Sequence, residues 1–459
     1  MKETRPFSMK DKIGYTLGDL GCCCTEQFRA MYLAIFYTLV LKVNPVHVGI
    51  LMLVTKFWDA INDPLIGALV DSHKNKGKGK FIPWIKFFAF PTAVLCILGF
   101  VNVSNFAYGA RIAYMFITYI VYEIMYTCVS VPFGSLSSVM TDDVNQRTDL
   151  SRFRSLGGTI FMTVIVIAGP LFLYKDTQPV PSHFLIMSAI CAVIGLICLM
   201  FTSHWCKERI ITEPVDEKKE KLNYFQVIKD ITKNKALLGV MLSSFIGIVG
   251  AGMVNGLNTY LFRDYFGNVA IMAVSGMLSV IWSLIAFVGT KFVAKKFGKK
   301  EWIMYSATFS VVVYAILFFF PLENPMLFII INGICYLGVS GFQVLVWALV
   351  NDAIDYQELQ TGKRNEGIVY SAYTFFRKLA NAVSGSMSSF ALAIAGFQVN
   401  EAVQNEAFSG HLWKTYTGLY VVGYLLAVLV LKFIYPLTKE KTAEMLQDLA
   451  DKRNATTAE

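Results

Sequence analysis

Two aspartates, Asp59 and Asp63, stand four residues apart in the run Lys56-Phe57-Trp58-Asp59-Ala60-Ile61-Asn62-Asp63-Pro64. On a helix that spacing places both carboxylates on one face, about one turn apart. Like charges so placed in a low-dielectric region repel. They persist if a cation sits between them or if one is protonated. Asn62 adds an amide carbonyl, and an oxygen-rich, charged cluster suits a hard cation such as Na⁺, with Li⁺ or H⁺ as alternatives. The competing reading is an ion-pair network with Lys56 that only holds helices together.

Other ionisable residues also fall inside apolar runs, where each costs about 2.5–3.5 kcal/mol at a helix centre on insertion scales. Glu123, Thr127 and Ser130 or Val131 share one helix face, and Thr127 offers a hydroxyl oxygen to the cation. Glu123 is either a second proton or cation group or the neutraliser of a buried base. Asp19, Glu26 and Arg29 lie in the first apolar stretch; Glu26 and Arg29, three apart, either pair with each other or leave Arg29 to meet an anionic substrate. Tyr370, Thr374 and Lys378 share a face, while Arg377 is turned about 100° away from Lys378. A lysine near a membrane midplane needs a carboxylate partner, and Asp59 and Asp63 are the candidates.

Such residues need a frame of long helices, and the composition supplies it. Of 459 residues 55% are hydrophobic and only 16% charged, against about 25% charged in a soluble domain. That excludes an ordinary soluble fold and a disordered chain, and scattered Gly and Pro exclude a fibrous one. A dozen spans of about 20 residues fit the length with room for loops. Apolar runs predict spans near 13–41, 47–70, 81–101, 111–139, 156–174, 183–203, 236–262, 270–293, 302–320, 325–350, 367–396 and 415–435. The expected fold is an all-α membrane protein of twelve transmembrane helices in two six-helix bundles. The expected parts are 1–203 and 236–435 for the bundles, 204–235 for a polar middle loop and 436–459 for a tail. The loops on the side of both termini hold 29 Lys and Arg against about five opposite, so both termini are expected in the cytoplasm. Basic loops at 71–80 and 295–300 occupy matching places in the two halves, a faint internal repeat.

The net charge of +9 sits in short runs between apolar segments, which argues against nucleic acid. Nine cysteines (22, 23, 24, 96, 128, 191, 198, 206 and 335) fall mostly in apolar stretches without metal-ligand spacing and read as packing. Met1–Lys12 is polar and basic, and no cleavage site follows the first apolar stretch, which is expected to stay as the first span. A membrane enzyme is disfavoured: the histidines at 47, 73, 183, 204 and 411 are dispersed, and no large loop is available to hold a catalytic cluster.

The strings Ile13-Gly14-Tyr15-Thr16-Leu17-Gly18-Asp19, Phe57 to Pro64, Gly79-Lys80-Phe81-Ile82-Pro83-Trp84, Val131-Pro132-Phe133-Gly134-Ser135-Leu136, Asn351-Asp352-Ala353-Ile354-Asp355-Tyr356 and Gly362-Lys363-Arg364-Asn365-Glu366-Gly367 carry a resemblance. In order and spacing the chain resembles the glycoside–pentoside–hexuronide:cation symporters, the family of the melibiose carrier, over nearly all twelve spans. The resemblance implies a major-facilitator fold, no catalytic residues and no cofactor beyond the coupling ion. It implies cation ligands at Asp59, Asn62, Asp63 and Thr127, a lysine linking cation and sugar at Lys378, and sugar-side positions at Arg154 and Thr374. It implies a cytoplasmic gate of Asp352, Asp355 and Arg364, to which Asp71 and its basic loop add ion pairs. The chain departs from the melibiose carrier where that protein has two sugar-binding aspartates, here Cys23 and Ser130, and a stacking tryptophan, here Gly134. Trp347 and the stretch around Arg377 look more like the glucuronide-carrier branch, and with Arg29 they suit a hexuronide. A neutral pentoside is equally consistent with the lost aspartates. Trp347 and Tyr370 are among the aromatic residues available to a sugar ring.

The expected function is cation-coupled sugar import across the cell's inner membrane by alternating access. The partners are a small saccharide, a monovalent cation and the bilayer, and family likeness implies a monomer. A lipid or lysolipid transporter and a transport-inactive sugar sensor are the alternatives on the same scaffold.

Overall fold

The computed structural model describes residues 5–72, 79–210, 234–361, 366–399, 401 and 404–458. Twelve long helices follow one another in these residues: α1 (Met9–Ile35), α2 (Pro45–Ser72), α3 (Ile82–Leu98), α4 (Tyr108–Met140), α5 (Val144–Leu173), α6 (Pro181–Trp205), α7 (Lys235–Tyr260), α8 (Ile271–Phe297), α9 (Lys299–Phe319), α10 (Pro325–Thr361), α11 (Glu366–Ile394) and α12 (Glu406–Phe433). A thirteenth, α13 (Lys439–Ala458), ends the chain. Eight of the twelve are long and apolar enough to cross a membrane. Of the other four, α3 is shorter at 17 residues, and α1, α2 and α11 carry the ionisable residues singled out above. The charges that mark the candidate chemistry are thus the ones that dilute the apolar signal.

The helices are longer than the apolar runs. α5 begins at Val144, α10 runs to Thr361 and α12 begins at Glu406. Backbone hydrogen bonding within a helix continues past the point where side chains turn polar. Tyr174–Lys175 and Gln178–Pro179 form a tiny antiparallel hairpin between α5 and α6, with Asp176 and Thr177 both at positive φ. Nothing in the hydropathy pattern marks it.

The chain divides into two compact units, one of Met1–Lys218 with Asn268–Ala273 and Gln398–Ala402, the other of Lys219–Gly267, Val274–Phe397 and Val403–Glu459. In the first, α1 packs on α5 and α6, and α3 on α4 and α6. In the second, α7 packs on α11 and α12, and α9 on α10 and α12. The pattern is the same with every helix advanced by six.

Local details repeat as well. α1 runs into a π-helical turn, Phe36–Val40, and α7 into another, Leu261–Tyr265. Each is followed by a residue at positive φ, Lys42 (52°) and Gly267 (66°), and then by an asparagine, Asn44 or Asn268, whose side chain accepts from a backbone N–H near the start of the next helix. Gly79 and Gly298, both at positive φ, precede α3 and α9.

The first unit's core gathers Tyr15, Ile85, Phe133, Leu136 and Leu150; the second's gathers Leu237, Val346, Leu349, Tyr373 and Tyr435. Met445 and Leu449 of α13, four residues apart, are both buried, Met445 in that second core. Lys452 Nζ donates to the Leu359 carbonyl at 3.2 Å.

Candidate functional site

On α2, Thr55, Asn62, Ile66 and Val70 are buried, whereas Phe57, Ile61 and Leu65 are exposed and apolar. At 100° per residue, Asp59 and Asp63 lie within about 80° of Thr55 and well away from the Phe57 face. Asp59 is half-buried and Asp63 exposed, so the acidic pair sits at the edge of the inward surface and runs out of it, on the side toward α4, the helix on which α2 packs.

Asp59 Oδ2 accepts from Lys56 Nζ at 2.9 Å, while its Oδ1 is buried with no hydrogen-bond partner. Asn62 is 4% exposed, and its amide nitrogen is also buried without a partner. Across the helix pair, Thr127 donates from Oγ1 to Asp63 Oδ1 at 3.3 Å, so α2 and α4 present two carboxylates, an amide and a hydroxyl together. Among the described residues no group of three or more His, Cys, Asp or Glu is placed to hold a metal ion. Two carboxylates with neutral oxygens suit a hard cation rather than a soft transition metal.

A second layer of charge surrounds this pair. Glu123, one turn before Thr127 on α4, is 4% exposed, and Glu26, Asp59, Lys56 and Arg29 are its electrostatic partners. Glu26 and Arg29 form no ion pair with each other. The Arg29 guanidinium is stacked 3.7 Å from the Tyr122 ring centroid and 5.1 Å from that of Tyr119, and its three nitrogens are buried without hydrogen bonds. Arg29 is thus enclosed by α4 aromatic rings.

Asp19 is tied to α5. Its Oδ1 accepts from Arg154 Nε at 3.0 Å, its Oδ2 from the Gly158 N–H at 2.9 Å, and Cys23 Sγ stands 3.9 Å from Oδ2. This needs Gly157-Gly158: a Cβ on Gly157 would come within 2.4 Å of the Thr16 carbonyl. Arg154 also lies over the Phe133 ring. Ser130 is half-buried on α4, and around Gly134 a Cβ would meet nothing within 4 Å.

In the second unit, Arg377 lies 5.6 Å from the Trp347 ring centroid, and Trp347 meets Tyr373 edge-on at 5.1 Å. Ser244 of α7 donates to the Tyr373 hydroxyl at 3.5 Å. Thr374 is half-buried and Lys378 exposed, so Arg377 and Lys378 do point apart. Asp352 is held by Lys299 Nζ, 2.7 Å from each carboxylate oxygen. Asp355 is half-buried. Arg364 and the side chains of Asp71 and Tyr370 lie outside the described residues.

Sequence reasoning missed the ion pairs at the end of the first unit that holds the amino terminus. Asp11, fully buried, accepts from Arg5 at 2.8 Å, from Arg209 at 3.0 and 3.1 Å, and from the Ser8 N–H at 3.0 Å. Glu208 accepts from the N–H groups of Lys80, Phe81 and Ile82 at 2.6–2.8 Å, satisfying the start of α3. Lys12 pairs with Asp149 at 2.5 Å. The Ser8-x-x-Asp11 spacing was a capping signal legible in the sequence; its partner Arg209, 198 residues away, was not.

Residues 14–439 match the family model of MFS/sugar transport proteins. A symporter of Bacillus subtilis, YjmB, is 32% identical over 97% of this chain and 96% of its own. The isoprimeverose transporter of Lactiplantibacillus pentosus is 28% identical over 98% and 93%. Among solved structures, a bacterial homologue of the human lysosomal transporter Spinster superposes with a TM-score of 0.67 at 11% identity, covering 97% of this chain and 99% of that one. With its membrane-spanning helices and duplicated bundles, the chain is a multi-pass membrane transporter of the MFS/sugar transport family, one of the glycoside and hexuronide symporters.

Proposed function

We propose that the chain is a cation-coupled sugar symporter that imports a neutral glycoside or pentoside by alternating access, with both termini in the cytoplasm. The observation that carries the coupling is the α2–α4 oxygen cluster. Asp59 Oδ1 is a buried acceptor without a partner beside the Thr127–Asp63 hydrogen bond, an oxygen that helix packing alone leaves unsatisfied. A monovalent cation bound there by Asp59, Asn62, Asp63 and Thr127 relieves the repulsion of the two carboxylates. Cation and sugar then raise each other's affinity by equal factors, as linkage requires. Each inward cation contributes about 2.3 kcal/mol per 100 mV of membrane potential to accumulation.

The preference for a neutral sugar rests on how the arginines are used. Arg29 is stacked beneath tyrosines and Arg154 is paired with Asp19, which leaves the α11 pair Arg377 and Lys378 as the cationic side chains open to an acidic sugar. The name of the isoprimeverose transporter points the same way. A hexuronide held through Arg377 and Lys378 is the second reading, favoured by the exposure of Lys378. Uptake of a panel of α- and β-glycosides, pentosides and glucuronides into vesicles, under imposed Na⁺, Li⁺ or proton gradients, tests both. The expected result is gradient-driven accumulation of a neutral glycoside or pentoside; accumulation of glucuronides alone selects the second reading. Lys378→Ala is expected to leave sugar binding but abolish its dependence on the cation; unchanged cation dependence refutes the linking role.

A further inference from the structure

The interior of the first unit holds more acid than base. Among the described residues Glu26, Asp59 and Glu123 share the electrostatic surroundings of Lys56 and Arg29, and the Arg29 guanidinium is engaged with aromatic rings rather than with a carboxylate. Lys56 is therefore the mobile counter-charge of this region. Its ammonium rests on Asp59 Oδ2, and its electrostatic partners also include Glu123 and Glu26. Glu123 forms no hydrogen bond or ion pair among the described residues, although its side chain is enclosed by Tyr119, Tyr122 and Tyr126 of its own helix and by α1 and α2. A buried carboxylate without a partner is costly, and this one stands on the helix that carries Thr127.

We propose that Lys56 occupies Asp59 in place of the coupling cation, and that Glu123 receives the Lys56 ammonium when the cation binds. The inference rests on the cation reading above and adds a positioning pair to it. A cation entering Asp59 and Asp63 meets the ammonium already there, and two positive charges cannot share Asp59 Oδ2. A lysine side chain has four rotatable bonds and a strongly hydrated head, so it moves by rotamer change to the nearest free carboxylate. Glu123, on α4, is the carboxylate we assign to it, an electrostatic partner of Lys56 on the helix that carries Thr127. The exchange leaves Asp59 facing a positive charge whether or not the cation is bound, which lowers the cost of reorienting the empty site.

The test is saturable binding of radioactive Na⁺, with Li⁺ as competitor, to the full chain reconstituted in nanodiscs. Glu123→Gln removes the acceptor and is expected to weaken Na⁺ binding about tenfold, within the range of ordinary coupling between sites. Lys56→Met removes the competitor and is expected to tighten it. In the Lys56→Met background, Glu123→Gln is expected to change Na⁺ affinity by no more than about twofold, the limit of simple additivity. Should Glu123→Gln misfold, Glu123→Asp serves the same cycle, with a smaller loss when Lys56 is present and none when it is absent. An equal loss in both backgrounds, or a larger one without Lys56, assigns Glu123 a structural or direct field role and overturns the proposal alone. No saturable Na⁺ or Li⁺ binding in the unaltered protein overturns the cation reading together with it.

Discussion

The two bundles share one frame and divide the chemistry. Both open with a helix that ends in a π-turn, a residue at positive φ and an asparagine cap, and their helices pack in the same order. Inside the first bundle the polar residues are ionic: Asp19 with Arg154, Asp59 with Lys56, and the buried Glu123 near both Lys56 and Arg29. Inside the second the polar residues are mostly aromatic or neutral. Tyr314 stacks on Tyr420 at 4.0 Å and Tyr420 on Tyr424 at 5.4 Å; the Tyr314 hydroxyl donates to Asn332, and that of the neighbouring Tyr416 to Asn258. A frame held by backbone geometry tolerates a change of interior side chains, so one copy of a duplicated fold can gather its buried carboxylates on α2 and α4 while the other, apart from the buried Arg263–Asp264 pair, keeps an aromatic interior.

The sharpest way to break this comparison is to remove the ionic site. Asp59→Cys or Asp63→Cys is expected to reduce cation-driven accumulation in vesicles to background, with the protein still present in the membrane. Normal accumulation by either variant would move the coupling elsewhere.

A weaker effect separates the arginines of the two bundles. Arg29→Ala removes a desolvated guanidinium–ring stack worth about 2 kcal/mol. It is expected to lower the melting temperature in detergent and to reduce uptake of neutral and acidic sugars by the same factor. Arg377→Ala is expected to weaken binding of acidic sugars selectively, by about tenfold or more, as loss of a charged hydrogen bond does. A selective effect at Arg29 instead would mean that the guanidinium leaves its tyrosine stack to meet substrate.

The smallest expected effect concerns the frame itself. Gly267, at φ 66° with open space around it, is expected to lose about 1–2 kcal/mol of stability on Gly267→Ala, the cost of a left-handed backbone for an ordinary residue. Lys42 already bears that strain at φ 52°, so Lys42→Gly is expected to stabilise by several tenths of a kcal/mol. Thermal unfolding of the two variants in detergent reads both signs, and a destabilised Lys42→Gly would show that the two loops are not equivalent.

Hydropathy alone placed the twelve spans, because a bilayer demands about 20 apolar residues for each crossing and the chain supplies them in sequence order. Helical periodicity put Asp59 and Asp63 on one face of α2 and Glu123 and Thr127 on one face of α4, since it needs no knowledge of neighbours. Periodicity was silent wherever a role depends on a partner far along the chain. Glu26 and Arg29 stand at pairing distance in sequence, yet the rings of α4 take Arg29. Lys299 at the start of α9 holds Asp352, a partner that spacing along α10 does not reveal. Asp11 reads as a helix cap and turns out to be gripped by Arg5 and Arg209. Spacing along one helix decides which way a side chain faces; only the packing of several helices decides which of the competing charges, rings and carbonyls it finds there.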